Sequence, residues 1–148
     1  MQINRLTPYL AAGPQLTPSD VDTIAALGFR SIIGNRPDGE SPDQPAFASL
    51  VQVARNRNLE TRYLPVIVSQ IGDTDITKFA EALRDLPKPI FAFCRTGTRS
   101  TLLWALANIE RLTPDERIRT AAAHGYDIES FREKLQAADR GAAGNAER

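Results

Sequence analysis

The only cysteine of the chain stands in the run Phe93-Cys94-Arg95-Thr96-Gly97-Thr98-Arg99-Ser100. A thiol followed by a glycine, two arginines and three hydroxyl residues within six positions has the makings of a nucleophile in an anion-binding loop. If the run turns from a strand into a helix, successive backbone N–H groups point into the turn and the helix dipole adds partial positive charge. Gly97 then permits a backbone conformation that a side chain would obstruct. The same field favours thiolate over thiol at Cys94. Arg99 can clamp an oxyanion through two parallel N–H bonds, Arg95 adds positive charge, and Thr96, Thr98 and Ser100 offer hydroxyls to the sulfur or to the anion. The plain alternative is a packed cysteine at a strand end, since free cysteine is among the most buried residue types. The density of polar neighbours favours the nucleophile. A nucleotide-binding P-loop, G-x-x-x-x-G-K-[ST], is excluded because the stretch has one glycine and no lysine.

The elements that must position this loop can be traced along the chain. Thr17-Pro18-Ser19-Asp20 is a helix start, followed by Val21, Ile24, Ala25 and Leu27 at helical spacing and ended by Gly28. Phe29 to Ile33 reads as a buried strand opening into the turn residues Asn35-Arg36-Pro37-Asp38-Gly39-Glu40. Pro45 to about Asn58 reads as a second helix, and Thr61 to Val68 as a strand interrupted by Pro65. Thr74 or Asp75 is expected to cap a third helix, and Ile90 to Phe93 is a third strand running into Cys94. Beyond it the pattern is helical: Thr101 to Glu110, then Thr113 to about His124, then a helix capped by Asp127.

This alternation predicts an α/β fold with a mostly parallel central sheet flanked by helices, and such sheets bind ligands at the carboxyl ends of their strands. Three loops are expected to meet there: Arg36 to Glu40, Ser69 to Asp75, and Cys94 to Ser100. Arg36 and Asp38 then form a pocket rim, with Glu40 able to close it by an ion pair. The competing reading is a proline-glycine turn stabilised by its own acids. His124, at an expected helix end, and Trp104, on the helix after the loop, read as structural. Tyr9, Tyr63 and Tyr126 show no interpretable pattern. Residues 1–140 are expected to form a single domain, with 141–148 a flexible tail.

Composition narrows the function classes. A formal net charge of +0 gives no electrostatic argument for nucleic acid or an anionic membrane as partner. One cysteine and one histidine leave no intramolecular disulfide and no zinc-type cluster, so no metal or organic cofactor is expected. The N-terminal residues lack a basic region followed by an apolar one, and nowhere do 18 apolar residues run together, which predicts a cytoplasmic protein.

The runs LTPSDVDTIAALGFRSIIGNRPDGES, LPVIVSQIGDTDITKFAEAL and FCRTGTRSTLLWAL resemble the bacterial phosphatase-like domain also found fused in β-lactamase-hydrolase-like, persulfide-metabolising proteins. The resemblance covers about residues 3 to 135. It implies a fold similar to dual-specificity tyrosine phosphatases, with Cys94 as nucleophile at the base of the anion loop; members of the family carry both phosphatase and sulfurtransferase labels. The loop departs from the phosphatase pattern H-C-x5-R. Phe93 replaces the histidine, and the arginine comes one place early, at Arg99. C-x4-R is closer to rhodanese-type sulfurtransferases, yet rhodanese domains usually continue with another strand, whereas this chain continues with helices. A phosphatase also needs a general acid. The expected positions hold Val68 and Ser69, leaving Asp73, Asp75 or Asp38 as candidates.

Taken together, these residues predict a cysteine-dependent, phosphatase-like hydrolase: Cys94 attacks a small or peptidic oxyanion substrate to give a covalent intermediate, Arg99 clamps the anion and Asp73 is the leading candidate acid. A rhodanese-like sulfurtransferase, forming a persulfide on Cys94 and requiring a thiol acceptor, is the alternative. A third possibility is a binding module that holds an anion or a phosphorylated partner without turnover.

Overall fold

The computed structural model describes residues 1–146. Five strands form one sheet in the order β1-β2-β5-β3-β4: β1 (Asn4–Thr7), β2 (Leu10–Gly13), β3 (Ser31–Gly34), β4 (Glu60–Tyr63) and β5 (Ile90–Phe93). Only β1 runs antiparallel to its neighbour; the β2–β5, β5–β3 and β3–β4 pairs are parallel. The fold is thus α/β, with a mostly parallel sheet flanked by helices. Short β-branched and aromatic runs suit the centre: every residue of β3 and β5 is buried. Edge strand β4, Glu60-Thr61-Arg62-Tyr63, has no buried residue.

Consecutive strand side chains point to opposite faces, so each central strand feeds two cores. Ala11, Ile32, Phe91 and Phe93 pack with α1 (Pro18–Ala26) and α2 (Phe47–Asn56). Ala12, Ile33 and Ala92 pack on the other face with α3 (Asp73–Asp85), α4 (Thr98–Ala107), α5 (Pro114–Ala123) and α6 (Arg132–Ala146). Helix α4 is buried from Ser100 through Leu106, as befits a helix covered by the sheet, α3, α5 and α6.

The ladder fixes where the chain leaves the sheet. Gly13, Phe93 and Gly34 are mutually in register, and Gly34 pairs with Tyr63, so four segments depart from one carboxyl edge: Gln15, Asn35-Arg36, Leu64 to Val66, and Cys94. No described helix is long and apolar enough to cross a membrane.

The structure departs from the sequence expectation in several places. The strand expected over Thr61 to Val68 ends at Tyr63, before Pro65, which has no N–H to give to a ladder, and Val68–Gln70 is a 3-10 turn. The β1–β2 hairpin was not anticipated, because Ala-Ala-Gly has weak strand propensity; the backbone ladder to β5 and complete burial prevail over it. Helix α3 is capped by Gly72, not by Thr74 or Asp75, and Asp75 Oδ2 accepts from the Gly72 N–H at 3.0 Å. Helix α4 begins at Thr98, three residues before the expected start. Helix α6 continues to Ala146, into the stretch expected as a tail, whose residues 147–148 lie outside the described residues.

Candidate active site

Cys94 follows the last residue of β5 and is 1% exposed. The chain then turns sharply into α4, and the N-cap is Gly97 at φ 106°. A β-carbon there would lie 2.1 Å from Tyr126 Oη, so glycine is required both by the backbone angle and by the packing. The turn directs the Gly97 N–H at Cys94 Sγ, 3.0 Å away. Thr101 secures the first turn of α4 by donating from both N–H (3.0 Å) and Oγ1 (2.9 Å) to the Gly97 carbonyl. The expected strand, tight turn and helix N-terminus are therefore present, with the thiol at the base.

Two chains of hydrogen bonds stitch the loops across the carboxyl edge. In the first, Arg36 donates from Nη1 to Gln15 Oε1 (3.2 Å) and from Nε to Glu40 Oε1 (3.0 Å). Arg99 grips the same carboxylate with both Nη groups, at 2.7 and 2.8 Å, and reaches the Val66 carbonyl at 3.2 Å. In the second, Ser100 Oγ donates to Asn35 Oδ1 at 2.8 Å, and Asn35 Nδ2 donates to the Leu64 carbonyl at 2.9 Å. Arg36 and Arg99 are largely buried, with 8% and 13% of the side chain exposed.

This geometry redistributes the roles expected from sequence. Arg36, Glu40, Cys94, Gly97, Arg99 and Ser100 converge, but the Ser100 hydroxyl proton goes to Asn35. Thr96 and Thr98 bond each other through their hydroxyls at 3.1 Å, and Arg95 is exposed. Asp38 points elsewhere: its Oδ1 accepts from the Phe47 N–H at the start of α2, 2.9 Å away. Asp73, the first residue of α3, lines a groove between α3, α4 and α6 with Ala80, Arg84 and Lys134, and no residue of the Cys94 loop borders that groove. Of the three expected loops, the second contributes through Val66, earlier in the chain than the Ser69–Asp75 stretch.

Two supporting residues had no readable signal. Tyr126, beyond α5, donates to the Thr96 carbonyl at 3.1 Å and accepts from Asn4 Nδ2 at 2.7 Å, so the unanticipated strand β1 and a distant tyrosine hold the loop from behind. Burial raises the Tyr126 pKa, which keeps the hydroxyl a donor. Asn4 could have been suspected only had the hairpin been recognised.

The two guanidinium groups dominate the local electrostatics. Hydrogen bonds from Arg99 first and Arg36 second hold the Glu40 carboxyl down at about 2, against the opposing effect of its partial burial, and the Arg99 pKa is raised chiefly by the same bond. A folded-state pKa below the unfolded value contributes stability that is present above the unfolded value and lost as pH falls through the folded one. Wild type is therefore expected to lose stability between about pH 4.5 and about 2 by a component that Glu40→Gln lacks. Urea midpoints across that range check this; parallel pH profiles for the two proteins would refute it.

The family model for the phosphatase-like domain of beta-lactamase hydrolase-like proteins matches residues 2–110. The chain is 34% identical over 130 residues to the beta-lactamase hydrolase-like protein of Xylella fastidiosa, a match covering 86% of this chain and 30% of that protein. The chain thus spans about 30% of the length of the curated relatives it matches. A Neisseria meningitidis crystal structure provisionally described as a phosphatase superposes with a TM-score of 0.85 at 39% identity, covering 93% of this chain and 99% of the other. PTPMT1 superposes with a TM-score of 0.74 at 15% identity, covering 98% of each chain, which extends the likeness of fold to tyrosine-phosphatase-like structures. By sequence and architecture together, the chain belongs to the phosphatase-like domain family of beta-lactamase hydrolase-like proteins.

Proposed function

We propose that the chain is a cysteine-dependent sulfurtransferase: Cys94 accepts a sulfur atom as a persulfide and passes it to a thiol. The observation that carries this reading is the state of the carboxylates. Among the described residues, the one carboxylate hydrogen-bonded to the Cys94 loop is Glu40, and at about 2 it has no proton to give near neutral pH. Of the candidate acids, Asp38 accepts from the Phe47 N–H, Asp75 accepts from the Gly72 N–H, and Asp73 lines the groove beside α3, which no residue of the Cys94 loop borders. Hydrolysis of an alkyl phosphate expels a strongly basic alkoxide and depends on such an acid. Sulfur transfer does not, because a thiolate leaves unaided near neutral pH.

The step balances without a cofactor. The Cys94 thiolate attacks the outer sulfur of a donor R–S–SH, the donor S–S bond breaks, and RS⁻ leaves with the electron pair and takes a proton from water. An acceptor thiolate then attacks the outer sulfur of the Cys94 persulfide and restores the cysteine thiolate. The Gly97 N–H, 3.0 Å from Sγ, and the side chain of Arg99 supply positive charge where sulfur carries the negative charge. The C-x4-R spacing, one residue tighter than the phosphatase loop, is consistent with this chemistry.

A second reading, hydrolysis of a phosphate ester through a phosphocysteine, is supported by the fold and by the Neisseria relative. It suits aryl phosphates best, whose phenolate leaving groups need little help from an acid. Intact mass after incubation with glutathione persulfide or thiosulfate tests the two, beside p-nitrophenyl phosphate turnover. Gain of one sulfur atom, lost on adding a thiol and absent in Cys94→Ser, is the expected outcome. No gain with either donor, with cysteine-dependent release of nitrophenol, would replace sulfur transfer by hydrolysis. Failure of both would leave anion binding alone.

A further inference from the structure

The hydrogen bonds behind the Cys94 loop run in one direction. Asn4 Nδ2 donates to Tyr126 Oη at 2.7 Å, and Tyr126 Oη donates to the Thr96 carbonyl at 3.1 Å. That carbonyl belongs to the same peptide unit as the Gly97 N–H, which donates to Cys94 Sγ at 3.0 Å. The unit is trans, so its carbonyl and its N–H point opposite ways, one toward Tyr126 and the other toward the sulfur. A proton offered to the carbonyl draws electrons through the amide and strengthens the N–H as a donor, and each bond in such a chain polarises the next. Both ends of the chain are anchored. Asn4 lies in β1, in register with Ala12 of β2. Tyr126 is set by the end of α5, where Gly125, at φ 85°, donates to the Ala122 carbonyl at 3.0 Å and the Tyr126 N–H donates to the Ala121 carbonyl at 2.9 Å. Asn4 and Tyr126 are both buried, which limits competition from water for the hydroxyl. Burial raises the Tyr126 pKa against the opposing bond from Asn4, and a negative Cys94 raises it further, so the hydroxyl holds its proton most firmly when the sulfur is a thiolate.

We propose that Tyr126, with Asn4 behind it, is a positioning residue that stabilises negative charge on the Cys94 sulfur by orienting and polarising the Thr96–Gly97 peptide. It touches neither the sulfur's substrate nor the reacting atoms and acts only through that peptide. The neighbouring Gly97 carbonyl is already held by Thr101, so the Thr96–Gly97 unit is the one the hydroxyl controls. This rests on Cys94 acting as a thiolate nucleophile, which sulfur transfer and phosphate ester hydrolysis share.

The rate of iodoacetamide alkylation against pH, followed by intact mass, tests this, because the chain has one cysteine to label. Tyr126→Phe removes the hydroxyl and keeps the ring. Its rate profile is expected to have a midpoint about 0.5–1 pH unit above that of wild type, so that alkylation below the midpoint slows about three- to tenfold, while the plateau at high pH stays within about twofold. Asn4→Leu, which removes only the first donor, is expected to move the midpoint the same way and slow alkylation below it by about twofold, and it carries the test if Tyr126→Phe does not fold. A midpoint that stays in place or moves down, in a variant of unchanged circular dichroism, would overturn the proposal. So would a rate lowered equally at every pH, because a hydroxyl that only holds the loop in place changes access to the sulfur and not its charge. Alkylation needs neither a sulfur donor nor a phosphate ester, so an unmoved midpoint leaves sulfur transfer standing, and a failure of sulfur uptake leaves the midpoint to be read.

Discussion

Alanine at position 97 is expected to destabilise the protein by about 3 kcal/mol and to slow sulfur uptake at Cys94 by about 100-fold even where the variant is folded. Two independent causes contribute to the stability loss. The first is the backbone angle of 106°, which a residue with a β-carbon adopts only at about 1–2 kcal/mol. The second is overpacking, since the new methyl would lie 2.1 Å from Tyr126 Oη and 2.7 Å from its ring carbon Cζ, at a cost of similar size. The kinetic loss has a separate origin: relief of that contact moves the turn, and with it the N–H that lies 3.0 Å from Sγ. Urea unfolding and a time course of intact mass with glutathione persulfide measure the two effects. Adding Tyr126→Ala should leave the double variant less destabilised than the sum of the single changes, because the clash is removed while the φ strain stays. A Gly97→Ala protein within twofold of the wild-type rate would mean that the turn does not position the sulfur.

The Cys94 loop was the most legible part of the site, because its chemistry is local: a thiol, a glycine and a cation follow one another, and the helix start that orients them lies in the same ten residues. The strand-to-loop order also located Arg36 and Glu40 at the right edge, since β3 and β5 are unmistakable apolar runs. Sequence could not show that Arg99 would be taken up by Glu40, 59 positions away, because that depends on the β3–β5 register. Asp73 was misplaced for a related reason. Once Gly72 caps α3, Asp73 becomes the first helical residue and falls on the side facing α6. The β1–β2 hairpin, and with it Asn4 and the role of Tyr126, had no local signature, since four-residue strands containing Ala-Ala-Gly are made by their neighbours and not by propensity.

The second large effect is expected far from the sulfur, at the opposite end of α4. Arg117 on α5 is fully buried; it donates to the Ala105 carbonyl at 2.6 Å, to the Thr113 carbonyl at 3.3 Å and to Asp139 Oδ2 on α6 at 2.5 Å. Ala105 lies in the last turn of α4, where carbonyls lack helical partners and the dipole is negative, so the guanidinium completes the end of the helix whose beginning forms the Cys94 loop. Asp139→Ala leaves this cation buried with two carbonyls and no counter-charge. Breaking a buried pair in this way costs about 3–5 kcal/mol, and because 30% of the Asp139 side chain is exposed and water can replace it in part, a loss near the lower end, about 3 kcal/mol, is expected. Replacing both partners by apolar residues, Arg117→Met with Asp139→Leu, should recover most of that loss, since no charge then remains to be solvated. Sulfur uptake by either variant, measured well below its melting temperature, should stay within about twofold of wild type, because neither residue hydrogen-bonds to the loop. A change in stability of less than about 0.5 kcal/mol for Asp139→Ala would show that the carbonyls alone satisfy Arg117. An uptake rate that fell in step with stability would show instead that the two ends of α4 move together, and that the loop depends on α6 as well as on Tyr126.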